Sequence, residues 1–151
     1  MKLFTTLFFV LAFCTSASAQ IKWKTFWHHN KNYTINLPDF FTDGGTTASG
    51  IHYYNTDFDP AISVLVEGQG AANTETLTDD YLKAAGEKGV SYKLFKPTWY
   101  VISGRNKDGS YFYHKAILSK GFLYLLRITY PVTQKGLFDL TLPRIVKSFH
   151  G

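Results

Sequence analysis

The chain has 151 residues, 16 Lys and Arg against 11 Asp and Glu, and a large aromatic content of 13 Phe, 10 Tyr and 3 Trp. That bulk is enough for one core without covalent staples, and the single cysteine, Cys14, falls in the N-terminal leader. Disulfides, thiolate catalysis and cysteine-ligated metal are therefore excluded from residues 20–151, where one domain is expected.

MKLFTTLFFVLAFCTSASAQ has the three parts of a secretory signal: Lys2 at the start, a greasy stretch from Leu3 to Phe13, and Ala17-Ser18-Ala19 as a small-residue cleavage site. Residues 1–19 are expected to be removed. The stretch is shorter than the roughly 20 apolar residues that span a bilayer, and no later run approaches that length. A lipid anchor on Cys14 is disfavoured because bulky Phe13 precedes it, where lipoprotein signals carry a small residue. The mature protein is thus expected to be exported, periplasmic or extracellular, and not membrane-spanning.

Tyr33 to Leu37 alternates and stops at Pro38, as a short strand should. Ile51–Tyr54 and Ala61–Glu67 read as strands joined by the turn residues of NTDFDP. GQGAANTET reads as a polar loop. Thr78 is then expected to cap a helix through DDYLKAAGEKG, with Asp79 and Asp80 in the first turn, Lys88 in the last, and Gly89 ending it. Four strands follow: Val90–Phe95, Trp99–Arg105, Ser110–Ser119 and Phe122–Tyr130. Asp108-Gly109 and Lys120-Gly121 sit where two-residue hairpin turns need positive φ. Phe138, Leu142, Ile145 and Phe149 form one stripe of a last helix, expected to break near Leu142 because Pro143 follows. The sum is an α+β domain, an antiparallel sheet of about six to seven strands packed against helices.

Two-residue turns at both hairpins would fix the registers. One face would then carry Tyr100, Ile102, Gly104, Tyr111, Tyr113, Lys115 and Ile117 beside Tyr124, Leu126, Ile128 and Tyr130, packed beneath a helix. The other face would have an apolar end of Trp99, Val101, Ala116, Leu118, Leu123 and Leu125. Beyond it Ser103, His114 and Arg127 would form one polar row, with Arg105, Phe112 and Thr129 in the next. A slip of one residue would reverse these faces.

Ser103 opposite His114 suggests a nucleophile and its base, but no carboxylate orients the histidine and no GxSxG elbow is present. Arg127 would instead disfavour imidazolium. Ser103, Arg105, His114 and Arg127 better suit an anionic ligand or a protein partner, with Tyr111 and Trp99 adding apolar contact. The bland account is that this end of the sheet meets water. The charge distribution bears on the choice: residues 20–82 hold 3 basic and 8 acidic residues, and residues 83–151 hold 12 and 3. Interleaving of the two halves in space would cancel this asymmetry and is the expected arrangement; segregation would favour an anionic partner.

Other motifs are weaker. His28 and His29 would point to opposite sides of a strand, so no shared metal is expected. Asn55, Asp57 and Asp59 have calcium-loop spacing, but Pro60 replaces the required glycine and Val66 the closing glutamate. Gly68-Gln69-Gly70 lacks a third glycine, so no dinucleotide cofactor is expected, and export argues against nucleic acid.

YTINLPDFF, SYKLFKPTWYVISG, DGSYFYHKAIL, LLRITYP and IVKSF together resemble the small exported bacterial domains of the PsbP, Mog1 and DcrB-like group, across residues 30–149. The resemblance implies an antiparallel sheet between helices and a binding or assembly role without catalysis. It carries over no binding residues, because the shared phrases are structural. Three functions stay open: a non-enzymatic exported accessory domain, a secreted hydrolase using Ser103 and His114, and a periplasmic toxin-neutralising protein.

Overall fold

A computed structural model describes residues 20–28, 32–48, 50–55, 57 and 62–151. The leader with Cys14, the His29 half of the histidine pair, and Asp59 and Pro60 lie outside the described residues. Among the described residues, nine strands and two helices follow in chain order. They are β1 (Trp23–His28), β2 (Tyr33–Pro38), β3 (Thr42–Thr46), β4 (Ile51–Asn55), β5 (Ile62–Gln69), α1 (Thr74–Ala85), β6 (Val90–Lys96), β7 (Trp99–Arg105), β8 (Tyr111–Ser119), β9 (Phe122–Tyr130) and α2 (Lys135–Ser148). A 3₁₀ turn, Val132–Gln134, leads into α2.

The main sheet has seven antiparallel strands in the order β3-β4-β5-β9-β8-β7-β6, and β1 and β2 form a separate hairpin. This is the α+β architecture expected from the strand and helix pattern. One face of the sheet, here the inner face, meets α2 and the β1–β2 hairpin. Ile35, Leu37, Phe138, Ile145 and Phe149 close over Val64, Val66, Leu126 and Ile128 there, all buried. Phe138 stacks on Tyr130 with ring centroids 4.1 Å apart. On the outer face α1 seals only the β6–β9 end, with Leu77 and Ala84 against Tyr100, Ile102, Ala116 and Leu123.

Several local expectations are corrected. The helix begins four residues before the expected cap: Asn73 is its N-cap, accepting from Thr76 N at 2.9 Å while Thr76 Oγ1 accepts from Asn73 N at 3.2 Å. Thr78 lies inside the helix and donates back to the Thr74 carbonyl. Reciprocal capping is the stronger signal, and the -NTET- stretch already contained it. The helix also ends early, capped at Gly86, and Gly89 with φ of 91° leads into β6 instead. Pro143 does not break the last helix, which runs continuously through it. Pro143 and Asp139, whose carbonyl loses its intrahelical partner, both lie on the exposed side of the helix.

The larger correction concerns the two hairpins. Lys120 and Gly121, with φ of 49° and 79°, make the expected two-residue turn, and β8 and β9 pair as derived, Tyr111 opposite Tyr130 and His114 opposite Arg127. The preceding turn has three residues, Lys107-Asp108-Gly109, because Asn106 N donates to the Ser110 carbonyl at 2.9 Å. Gly109 N donates to the Asn106 carbonyl, and Gly109 takes φ of 87°, the position that completes a type I turn with a bulge. Asp108 holds the bend by accepting from Ser110 N and Ser110 Oγ. Arg105 therefore faces Tyr111, and β7 slips by one residue against β8.

That slip turns β7 over. The inner face carries the rows Trp99–Ile117–Tyr124, Val101–Lys115–Leu126, Ser103–Tyr113–Ile128 and Arg105–Tyr111–Tyr130. The outer face carries Ile102–His114–Arg127, Tyr100–Ala116–Leu125 and Gly104–Phe112–Thr129. Strand order also corrects the expected interleaving of charge. The basic strands β6 to β9 stay together at one end of the sheet, and acidic α1 balances them only on the outer face.

Candidate functional site

The residues expected to share one polar patch are divided by the sheet. Ser103, Arg105 and Tyr111 lie on the inner face; His114 and Arg127 lie on the outer face, paired as neighbours. Ile102 occupies the place beside His114 that Ser103 was expected to fill. A hydroxyl and an imidazole on opposite sides of a sheet cannot exchange a proton, so the Ser103–His114 pair does not form.

On the outer face, His114 packs against Phe112 with the rings tilted by 43° and their centroids 5.1 Å apart. Burial, with a smaller contribution from the Arg127 guanidinium, pushes the His114 imidazole down to about 4 from its ordinary 6.5. It is neutral at physiological pH. Arg127 Nε lies 3.2 Å from Glu67 Oε2 on β5, an ion pair rather than a well-aligned hydrogen bond. Tyr100 donates to Asp80 on α1 at 2.5 Å, fastening the helix to the sheet. The outer cluster thus uses its charges on its own neighbours.

The inner face is different at the β6–β8 end. α2 covers β9 and the β2 hairpin, and its C-terminal carbonyl at Val146 accepts from Lys115 Nζ at 2.9 Å. Beyond that bond the sheet continues for two more strands with no described helix or strand above it. The result is a trough. Its floor is Val101, Tyr113, Lys115 and Ile117, one wall is Leu142 and Val146 of α2, and the outer rim is Tyr92 and Leu94 of β6, with Trp99 at one end. This middle section encloses about 350 Å³. A second section of about 490 Å³ continues past Ser103 and Arg105 to Tyr111 and Leu142.

Trough chemistry is apolar below and cationic above. Arg105 lies over the Tyr111 ring at 5.1 Å and donates to the Gly109 carbonyl, so the turn itself aims the guanidinium. Burial lowers the Lys115 ammonium from its ordinary value and pushes the Tyr113 hydroxyl up to about 12. Lys147 stands on the helix side. None of the described lining residues is Asp or Glu. Four of the residues picked from sequence, Trp99, Ser103, Arg105 and Tyr111, therefore belong to this trough. Tyr92, Leu94, Tyr113, Lys115 and Val146 escaped notice. Their signal was the alternation of YKLFK against WYVIS, readable only with the right turn length.

Other motifs have ordinary structural roles. Asp57 N donates to Asn55 Oδ1 at 2.7 Å, a side-chain turn in which Asn55 is buried. Among the described residues no group of three or more His, Cys, Asp and Glu side chains gathers as metal ligands, and no helix is long and apolar enough to cross a membrane.

An antiparallel sheet held between a helix on one face and a helix with a hairpin on the other defines the class: an α+β sandwich. Its fold is PsbP-like. The solution structure of cyanobacterial PsbP (CyanoP) from Synechocystis sp. PCC 6803 superposes with a TM-score of 0.61 over 89% of this chain and 95% of that one, at 11% sequence identity. No family model and no curated protein matches the chain by sequence. At that identity the likeness is one of fold.

Proposed function

We propose that this is a non-enzymatic, exported accessory domain that docks an acidic protein partner in the trough beside α2. One observation carries it: a half-open apolar stretch of sheet, bordered by Arg105 and Lys147, on a face whose other half is fully covered. Contiguous apolar surface rimmed by polar groups of one sign is what a docking surface needs, since burial supplies affinity and charge supplies orientation. The PsbP-like fold is compatible with an accessory role. The leader-like first residues support export, to the periplasm or the outside. His114 and Arg127 fall outside the proposed surface.

Affinity capture from the native envelope fraction tests this with three baits. Wild type and Arg127→Ala should retain the same partner, while Arg105→Ala combined with Lys147→Glu should lose it without a change in melting temperature. Retention by the double variant, or loss with Arg127→Ala alone, would reject the trough. A hydrolase finds no support, its two named residues being separated by the sheet.

A further inference from the structure

The two edges of the main sheet are not alike. β3 is five exposed residues, TDGGT, with a register shift against β4 and Gly45 at φ of 86°. Short, irregular, glycine-rich edges resist the addition of another strand. β6 at the other end is seven residues, VSYKLFK, and among the described residues pairs with β7 alone. Its one irregularity lies between Val90 and Tyr92, so Tyr92 to Lys96 pairs regularly with Trp99 to Ser103. On an antiparallel edge strand, alternate residues aim their N–H and C=O groups away from the sheet. β6 also forms the rim of the trough, with Tyr92 half exposed and Leu94 beside it.

Building on the trough as the docking surface, we propose that the partner presents an extended segment that adds to β6 as an eighth strand and alternates acidic with apolar residues. The strand arrangement dictates this alternation. Along β6, Tyr92, Leu94 and Lys96 face inward with Ser103, Val101 and Trp99, while Lys93 and Phe95 face outward with Ile102 and Tyr100. An added strand sets its own side chains directly opposite these, and its longer ones reach diagonally over the rim. Apolar or aromatic side chains on its inner side meet Leu94 and Tyr92 and descend into the trough. Acidic side chains on its outer side meet Lys93. The 350 Å³ of the middle section holds one or two large side chains. Backbone pairing supplies affinity and the trough supplies selectivity.

Charge selects the occupant further. A second copy of this chain pairing edge to edge would bring the exposed Lys93 and Lys96 of both copies onto one seam, like charge against like. Lys93 on the outer side attracts the acidic positions of an added strand, and the exposed Lys96 adds to the positive potential along the edge. Exposed Glu87, just before β6, is the nearest acidic side chain in sequence and lies outside the regular pairing.

Isotope-labelled protein titrated with short capped peptides decides the matter. The probes are an eight-residue peptide alternating Glu with Phe and Val, its Lys-for-Glu counterpart, and an acidic peptide of the same composition ordered with helical periodicity. Amide exchange along residues 90–96 and shifts at Tyr113 and Lys115 are the readouts. The Glu alternating peptide should slow exchange of alternate β6 amides by about tenfold or more and shift Tyr113, with binding weakened by salt. Lys93→Glu combined with Lys96→Glu, both exposed, should weaken it about tenfold and reverse the preference toward the Lys peptide. No binding, equal binding of both charge versions, or preference for the helical order would overturn strand addition. Shifts at Tyr113 without protection of β6 would overturn it while leaving trough docking standing. Loss of partner capture by the trough variants is read separately.

Discussion

The two sides of the sheet at its β6–β8 end use the same strands and reach opposite outcomes. On the outer side α1 buries Leu77 to 0% exposure among Tyr100, Ile102 and Ala116, and Asp80 of the helix accepts from Tyr100 of the sheet. On the inner side α2 stops at β8, and Tyr92, at 50% exposure, borders a floor that is only partly covered. Alternation along each strand makes both sides apolar, so hydrophobicity alone does not distinguish them. What differs is whether the chain supplies its own lid. Where it does, apolar surface is core; where it does not, the same kind of surface is available to another molecule.

The comparison breaks most visibly if the sealed side is cut. Leu77→Ala should cost about 2–5 kcal/mol, because it removes side-chain atoms from a closed site that cannot collapse around the gap. Urea denaturation gives the number. A loss below about 1 kcal/mol would mean that α1 is not a lid at all.

A pH titration reaches the same seal from its polar rim. The His114 imidazole is held down to about 4 in the folded chain against 6.5 when free, so the unfolded state binds the extra proton first. Stability is therefore complete above pH 6.5 and falls as pH drops from 6.5 toward 4, by about 2–3 kcal/mol from this group. His114→Gln should flatten that part of the profile, leaving only the carboxylate contribution. Burial is the first cause of the shift and Arg127 the second, so Arg127→Ala should move the midpoint upward only in part. Full restoration to 6.5 by Arg127→Ala would assign the effect to charge and contradict the seal.

Much of this arrangement was legible in sequence. β9 was bounded to the residue, the hairpin at Lys120-Gly121 gave the right register, and His114 beside Arg127 followed from it. The site failed at one turn. Asp108-Gly109 serves equally as a two-residue turn or as the end of a three-residue one, and the two differ by a residue of register. The deciding contacts are the backbone bond from Asn106 to Ser110 and the Asp108 side chain bonding onward to Ser110, neither of which composition reveals. β1 and β3 were missed for different reasons. WKTFWH lacks period-two alternation, its apolar residues being Trp23, Phe26 and Trp27, although it pairs with the adjacent β2, and TDGGT has almost no strand propensity and exists because β4 offers it a partner.

The cap of α1 provides a smaller test of the sealed side. Asn73→Ala removes a side-chain acceptor from Thr76 N and should cost about 1 kcal/mol; Thr78→Ala, at the position first expected to cap, should cost less, since its hydroxyl only returns to the Thr74 carbonyl. Thermal melts of the two variants order them. The reverse order would move the start of the helix back toward Thr78.

The smallest stability effect belongs to the open side, and its smallness is the point. Tyr92 and Lys147 border the trough without closing it, so Tyr92→Ser and Lys147→Glu should each change folding stability by less than about 0.5 kcal/mol. An aromatic ring at 50% exposure that loosens the fold by much more would have to be packing against this chain, and the trough would be a damaged core. If instead the melt is unchanged while capture of the partner is lost, stability and binding have been separated on two sides of one sheet. The strands then hold the fold through α1 and offer their other face outward.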